Sequence, residues 1–341
     1  MEKRIKNQII QALATHPQTI YELIPKQDAS LRELTQIVRE LESDNLLLYQ
    51  GDKLELNQDR LAGEDLEKIR DLQGEQDQGH TTSHSLPGQF QTILRQLEQI
   101  CNDRPRAVEE YDQGFISTPG VVERARFMFQ RGDLWGSRIL ILGDDDLLGL
   151  ALGLTGLPAY IKVLEIDQRL NSFINSQASK LDLPLVAETF DVQYPLDKSL
   201  QQDFDCFLTD PVETLPGFQL FLSRGVSSLQ GPGSSAYFGL TTLEASRNKW
   251  YEIQNSIMDM GFVITDLLRN FNVYPQQEDS FARYQEKTPI YKQFKVEPAT
   301  DWYMSSFYRI EAVKQPVPLI EQEMVLEERF YKDEESLATP F

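Results

Sequence analysis

The densest concentration of chemistry in the sequence is Gly143-Asp144-Asp145-Asp146. It follows directly on the apolar run RILIL (138–142), and Gly149 and Gly153 come after it. A turn that cradles a pyrophosphate is rich in glycine and points bare backbone amides at the phosphates. Three adjacent carboxylates would repel such a ligand. The turn therefore suits a ligand with an adenosine, no phosphate and a positive charge, which describes S-adenosylmethionine and its decarboxylated form, both sulfonium ions. A solvated acidic turn or a divalent-metal site competes with this reading. The position at the tip of a buried first strand favours ligand contact.

Five further acidic residues stand at the ends of three later strands. YIKVLEI (160–166) runs into Glu165-Ile166-Asp167, and Glu165 lies 22 residues after Gly143. A carboxylate at the end of a second strand accepts hydrogen bonds from ribose hydroxyls in dinucleotide folds. Glu165 is preferred for that role, with Asp167 as its competitor. Asp167 also reads as a helix N-cap. Asp191, after LVAETF (185–190), is placed to accept from an adenine amino group. Thr209-Asp210-Pro211-Val212-Glu213 ends a fourth strand, with Pro211 stiffening the turn. Asp210 and Glu213 would face the same crevice as Asp144, Asp145 and Asp146. Several carboxylates in one cleft are costly unless a cation neutralises them, so a polyamine is expected as substrate. Tyr237 and Phe238 offer apolar walls to it, or simply pack the core.

The elements that must position these residues alternate. After RILIL come a helix at 147–155, the strand 160–166, a helix at 169–181, strands at 185–190 and 204–209, a helix near 215–229, the strand 235–240, a helix near 244–260 and a strand at 262–268. Strands alternating with helices imply a mostly parallel sheet covered on both faces, with ligands at the carboxyl ends of its strands. Residues 1–60 read as three helices and a hairpin around Gly51-Asp52, the order of a winged helix. Residues 61–104 read as a linker, GEQDQGHTTSHSLPG at its centre, with a connecting helix at 89–101. The catalytic domain is expected over 105–313 and an acidic mobile tail over 314–341.

Composition narrows the function. The 341 residues carry 53 acidic and 33 basic side chains, a net charge of −20, which disfavours phosphate backbones and favours cationic partners. Within residues 1–60 there are 8 basic and 10 acidic residues, and the third helix, LRELTQIVRELE, alternates the two signs. A groove-reading helix is basic, so no nucleic-acid partner is expected and a packing or dimerisation role is. Two cysteines, Cys101 and Cys206, give no disulfide framework or zinc spacing. His80 and His84 lie in a polar run where no helix is expected, so no metal site is. The absence of an 18-residue apolar run and of a cleavable signal points to the cytoplasm and away from the membrane.

Taken together, YDQGFISTPGVVERA, GDDDLLGLALGLTGLP, VLEIDQRL, TDPVETL, RGVSSLQGPGSSAYFGLT, DLLRNFNVY, WYMSSFYRIEA and YKDEES resemble the branched-chain polyamine synthase family, in consistent order from about 111 to the tail. The resemblance implies a class I methyltransferase-like (Rossmann-like) α/β catalytic sheet behind an N-terminal winged-helix-like domain, in a homodimer. It implies decarboxylated S-adenosylmethionine as co-substrate, with no tightly bound cofactor, and 5′-methylthioadenosine as by-product. The acceptor would be spermidine or a relative, alkylated at an internal amine. The family's catalytic aspartate falls on Asp146. The family commonly has two prolines after the fourth-strand aspartate; the second is Val212 here. Two other functions fit the pattern less closely: an S-adenosylmethionine-dependent amine methyltransferase and a ligand-sensing winged-helix regulator.

Overall fold

The computed structural model describes residues 2–61, 63–73, 86, 88–108, 111, 113–275, 286, 288–295 and 300–336. The N-terminal unit runs α1 (Glu2–Leu13), β1 (Gln18–Thr19), α2 (Ile20–Leu23), α3 (Leu31–Ser43), β2 (Leu47–Gln50) and β3 (Lys53–Leu56). This is the expected order with one short strand added, and the three strands pair as β1-β3-β2. Two capping boxes, Thr19 with Glu22 and Ser30 with Glu33, start α2 and α3. Each satisfies backbone N–H groups that a helix start leaves without partners.

Within the span 61–104, the described residues include two packed helices where one connecting helix is expected. Helices α4 (Gly63–Gln73) and α5 (Gln89–Cys101) bury Leu66, Ile69 and Leu72 and Phe90, Ile93 and Leu97. Apolar residues at helical spacing drive this packing. The polar run with His80 and His84 lies outside the described residues.

The larger α/β unit follows as α6 (Thr118–Gln130), β4 (Arg138–Leu142), α7 (Leu148–Leu154), β5 (Tyr160–Glu165), α8 (Gln168–Lys180), β6 (Leu185–Thr189), β7 (Cys206–Thr209), α9 (Leu215–Ser228), β8 (Ser235–Leu240), α10 (Arg247–Asp259), β9 (Phe262–Val273), α11 (Pro289–Phe294), β10 (Met304–Ala312) and α12 (Glu328–Tyr331). The sheet order is β6-β5-β4-β7-β8-β10-β9. All neighbours from β6 to β8 pair in parallel, and β10 runs antiparallel to both β8 and β9. This is the class I methyltransferase topology. Because side chains alternate along a strand, Ile139 and Ile141 enter one core and Leu140 and Leu142 the other. The first core also takes Ile5, Ile9, Leu34, Ile37, Phe90 and Ile93. The N-terminal helices thus share a core with one face of the sheet.

Strand β10 and helix α6 are elements that periodicity alone does not announce. MSSFYRIEA mixes apolar and charged residues, yet all but Met304 are buried. The charges are paired inside: Arg309 reaches Asp133 at 2.9 Å and Glu311 at 3.0 Å, and Glu311 takes Arg4 of α1 at 2.8 Å. Tyr237 joins this network by donating its hydroxyl to Asp133, and it stacks on Phe307. Tyr237 is therefore a fully buried core residue and does not wall a substrate site.

The expected mobile tail is docked over 314–336. Phe330 is 2% exposed and packs with Val212 and Leu220, and Lys249 holds Asp333 at 2.7 Å. Helix α9 lies so close to β7 that a Cβ on Gly225 would meet the Phe207 ring at 2.3 Å. Gly225→Ala is expected to lower stability by roughly 1–3 kcal/mol through overpacking, despite alanine's better helix propensity. Urea denaturation reads this, and an unchanged midpoint would show that the helix can back away from the strand without loss.

Candidate active site

The carboxyl ends of β4, β5, β6 and β7 open into a cavity of about 180 Å³. Its walls include Gly143 and Asp145 after β4, Glu165 at the end of β5, Asp191 after β6 and Asp210 after β7. Tyr111 and Gln113 close it from the segment before α6, and Leu326, Phe330 and Tyr331 from the C-terminal segment. Five of the acidic-loop and strand-end residues expected from sequence are thus brought to one place.

Glu165 is 5% exposed. Its two oxygens accept from the backbone N–H groups of Asp167 at 2.9 Å and Asp144 at 3.0 Å. Each oxygen keeps a second lone pair, which is what a ribose diol requires. Burial raises its pKa, against the lowering effect of those two hydrogen bonds. Gly143 turns the chain at φ +74, a left-handed conformation that glycine adopts without strain. Asp191 holds Gln193 through its backbone N–H and its side-chain amide, both at 2.9 Å.

The three loop aspartates do different things. Asp144 turns inward, 2% exposed, and accepts from Gly149 N–H at 3.0 Å. A Cβ on Gly149 would come within 2.7 Å of that carboxylate, so Asp144 shapes the turn and does not line the cavity. Asp145 lines the cavity and accepts from Gly114 N–H at 3.1 Å. Burial pushes both Asp144 and Asp145 well above the usual carboxylate range. Asp146 lies behind them, 5% exposed, accepting from Ile116 N–H at 2.7 Å. Burial pushes it up to about 6, and the Arg124 guanidinium beside it opposes the rise.

Arg124 was not singled out by sequence reasoning, although it lies in a quoted motif. It sits on α6 among Val121, Val122, Ala125 and Met128, all buried, and is itself 2% exposed. A lone arginine on the apolar face of a helix was the available signal, since arginine is rarely buried without a partner. Its guanidinium grips Asp210 with two bonds of 2.6 and 3.2 Å and reaches Asp146 at 3.5 Å. Its Nε donates to Asn272 at 2.8 Å, and it stacks over the Phe307 ring at 4.9 Å. Asp210 also accepts from Gly239 N–H at 2.8 Å. Tyr274, another residue that sequence reasoning passed over, lies close enough for Asp210, Arg124 and Asp146 all to act on its phenol.

Besides Asp144, Asp146 and Tyr237, two more expected site residues, Asp167 and Glu213, are not on the cavity wall. Asp167 N-caps α8, pairs with Arg169 and accepts from Gln113 at 3.1 Å, so its oxygens are occupied. Glu213 is half-buried and lies outside the lining. Among the described residues, no cluster of histidine, cysteine and acidic side chains could hold a metal ion, and no helix is long and apolar enough to cross a membrane.

Residues 92–338 match the model of the branched-chain polyamine synthase A C-terminal domain. An N(4)-bis(aminopropyl)spermidine synthase of Thermococcus kodakarensis is 39% identical over 254 residues, covering 73% of this chain and 71% of the relative. One from Methanocaldococcus jannaschii matches with the same identity and coverage. The crystal structure of the branched-chain polyamine synthase from Thermus thermophilus, in complex with N4-aminopropylspermidine and 5′-methylthioadenosine, superposes with a TM-score of 0.65. It is 28% identical, and the match covers 98% of this chain and 92% of that one.

Replacing Arg124 by methionine leaves Asp146 and Asp210 facing each other without their shared cation. Breaking a buried pair from one side costs about 3–5 kcal/mol; because a third of the Asp210 side chain is exposed, about 3 kcal/mol is expected. Chemical denaturation at neutral pH reads the loss. Adding Asp210→Asn to Arg124→Met should restore part of it, and strict additivity would contradict the coupling.

Proposed function

The chain belongs to the branched-chain polyamine synthase family, and from that premise we propose how its own residues divide the work of an aminopropyltransferase. The reaction moves an aminopropyl group from decarboxylated S-adenosylmethionine to an internal amine of spermidine or a related polyamine, giving a branched polyamine and 5′-methylthioadenosine. The neutral amine's lone pair attacks the propyl carbon next to the sulfonium. The carbon–sulfur bond breaks, and its electron pair stays on sulfur as the thioether of methylthioadenosine. The amine's proton must then leave. No metal is needed to activate the leaving group, because the sulfonium is already charged.

Glu165 is assigned to the ribose and Asp191 to the adenine side. Asp145 and Gly143 are assigned to the donor's charged end, where the acidic Asp145 offers no partner to the carboxylate that intact S-adenosylmethionine carries. Asp210 is assigned to an ammonium of the acceptor, and Glu213 remains a candidate for a more distant one. Asp146 is assigned as the proton acceptor. The observation that carries this choice is the Arg124 bridge to Asp146 and Asp210. A base works best with a pKa near the operating pH. Burial lifts Asp144 and Asp145 well above the carboxylate range, whereas Asp146, held by Arg124, stands at about 6.

The N-terminal unit is assigned a winged-helix-like packing role in a homodimer. Tyr21, Leu31, Leu48 and Tyr49 expose apolar surface there, and the mixed charge of α3 offers nothing to a phosphate backbone. Sedimentation that shows only a monomer, or tight salt-sensitive binding of duplex DNA, would contradict this. A cytoplasmic location is part of the same proposal, and cell fractionation tests it.

Two outcomes test the assignments. Asp146→Asn removes charge and proton acceptance while keeping shape, so single-turnover rate should fall ~10²–10⁴-fold with methylthioadenosine affinity nearly unchanged by calorimetry. Glu165→Gln should reverse the pattern, with methylthioadenosine binding lost first. Near-normal turnover in Asp146→Asn would move the base to another acidic residue of the cluster.

The pH profile provides the second. Asp146 has its pKa raised to about 6 and accepts a proton only when ionised, so kcat should fall as pH drops through about 6. The ionisable groups facing it are Arg124, Arg104, Asp144, Asp145, Asp210 and Tyr274, so the midpoint belongs to the cluster. An acidic limb that persists unchanged in Asp146→Asn would contradict the assignment.

A further inference from the structure

Arg224 opens the motif RGVSSLQGPGSSAYFGLT, and none of the roles above uses it. It sits on α9, is 1% exposed, and has its pKa lowered by burial, with no carboxylate among the described residues acting on it. A buried cation without a counter-ion is costly, and an apolar side chain of similar volume would cost less. Something other than stability is needed to explain the residue.

The guanidinium spends its donors on four backbone carbonyls from two separate segments. Nε donates to Val192 at 3.0 Å and Nη2 to Gln193 at 3.0 Å, both in the loop after β6. Nη1 donates to Ile320 at 2.9 Å and Nη2 to Gln322 at 2.8 Å, both in the C-terminal segment. The same seam carries two more bonds: Met324 N–H donates to the Gln193 carbonyl at 3.0 Å, and Ile320 N–H to the Ser223 hydroxyl at 3.1 Å. Val192 and Gln193 line the cavity from one side, and Leu326 and Phe330 from the other. The next residue on α9 is Gly225, whose missing side chain lets the helix settle on Phe207. That close approach seats the helix on which Arg224 stands.

We propose that Arg224 is a positioning residue that locks the cavity wall at 192–193 to the C-terminal segment at 320–322, so that the two close on the donor as one unit. The inference rests on the reading of the cavity as the donor site. A planar five-donor fork can satisfy four carbonyls in fixed directions; a lysine ammonium has three donors and no plane. Arg224→Lys therefore keeps the charge and loses the lock.

The experiment uses full-length protein and 5′-methylthioadenosine as the probe. Calorimetry on Arg224→Lys should show binding weakened ~10-fold, the low end of the effect of losing one bond to a charged donor. In kinetics the donor KM should rise by about the same factor while kcat at saturating donor changes less than about twofold. Hydrogen exchange should quicken at 192–194 and at 320–324 together. In the wild-type protein, needing no variant, methylthioadenosine should slow exchange in both segments at once. Unchanged affinity in Arg224→Lys, or ligand protection confined to 192–194, would overturn the proposal. A wild-type protein that binds no methylthioadenosine would overturn the donor-site reading itself.

Discussion

One buried guanidinium holds the reactive end of this molecule together. Arg124 takes two carboxylates from different strand ends, Asp146 after β4 and Asp210 after β7, and fixes them against the aromatic ring of Phe307. Without a cation, carboxylates packed this closely would drive one another's protons on. With it, the cluster separates into distinct functions. Asp144 and Asp145 are pushed toward the neutral form by burial, and Asp146 stays within reach of neutral pH. A cleft meant for a polycation must be acidic enough to bind ammonium groups, yet must leave one amine neutral enough to react. On the proposed assignment, an internal arginine shared by two acids is what reconciles these demands.

The rest of the fold serves that geometry. Parallel strands place their carboxyl ends at one edge, so residues distant in sequence meet there without any loop having to travel far. The antiparallel β10 carries Phe307 and Arg309 on one face, supporting Arg124 above and the Asp133 network beside it. Through Glu311 and Arg4 that network extends to α1, which joins the N-terminal unit to the sheet by charge as well as by the shared apolar core. The C-terminal segment then completes the cavity from outside the sheet.

Much of this was legible in the sequence. Alternating apolar runs marked β4 to β8 within a residue or two, and the strand-end acids Asp145, Glu165, Asp191 and Asp210 all reach the cavity. The misses share a cause. Tyr237 looked like a ligand wall because strand periodicity does not say which face a residue takes; its register opposite Arg309 puts it in the core. Asp167 was the competitor of Glu165 for the ribose and also a candidate N-cap; the cap is what it forms, accepting from the Arg169 backbone N–H. Charged residues in β10 and an arginine inside α6 broke the hydrophobic patterns that reveal elements, because their partners lie far away in sequence. The C-terminal segment looked mobile for the same reason: what fixes it, Arg224 and Lys249, belongs to α9 and α10.

The most direct test is the product itself. Purified protein would be given decarboxylated S-adenosylmethionine with spermidine, and separately intact S-adenosylmethionine with spermidine, and the polyamines identified by fragmentation mass spectrometry. The account predicts aminopropyl addition at the internal nitrogen with the decarboxylated donor, stoichiometric methylthioadenosine, and no methylated amine with the intact one. A linear product extended at a terminal amine, or methylation from the intact donor, would contradict it.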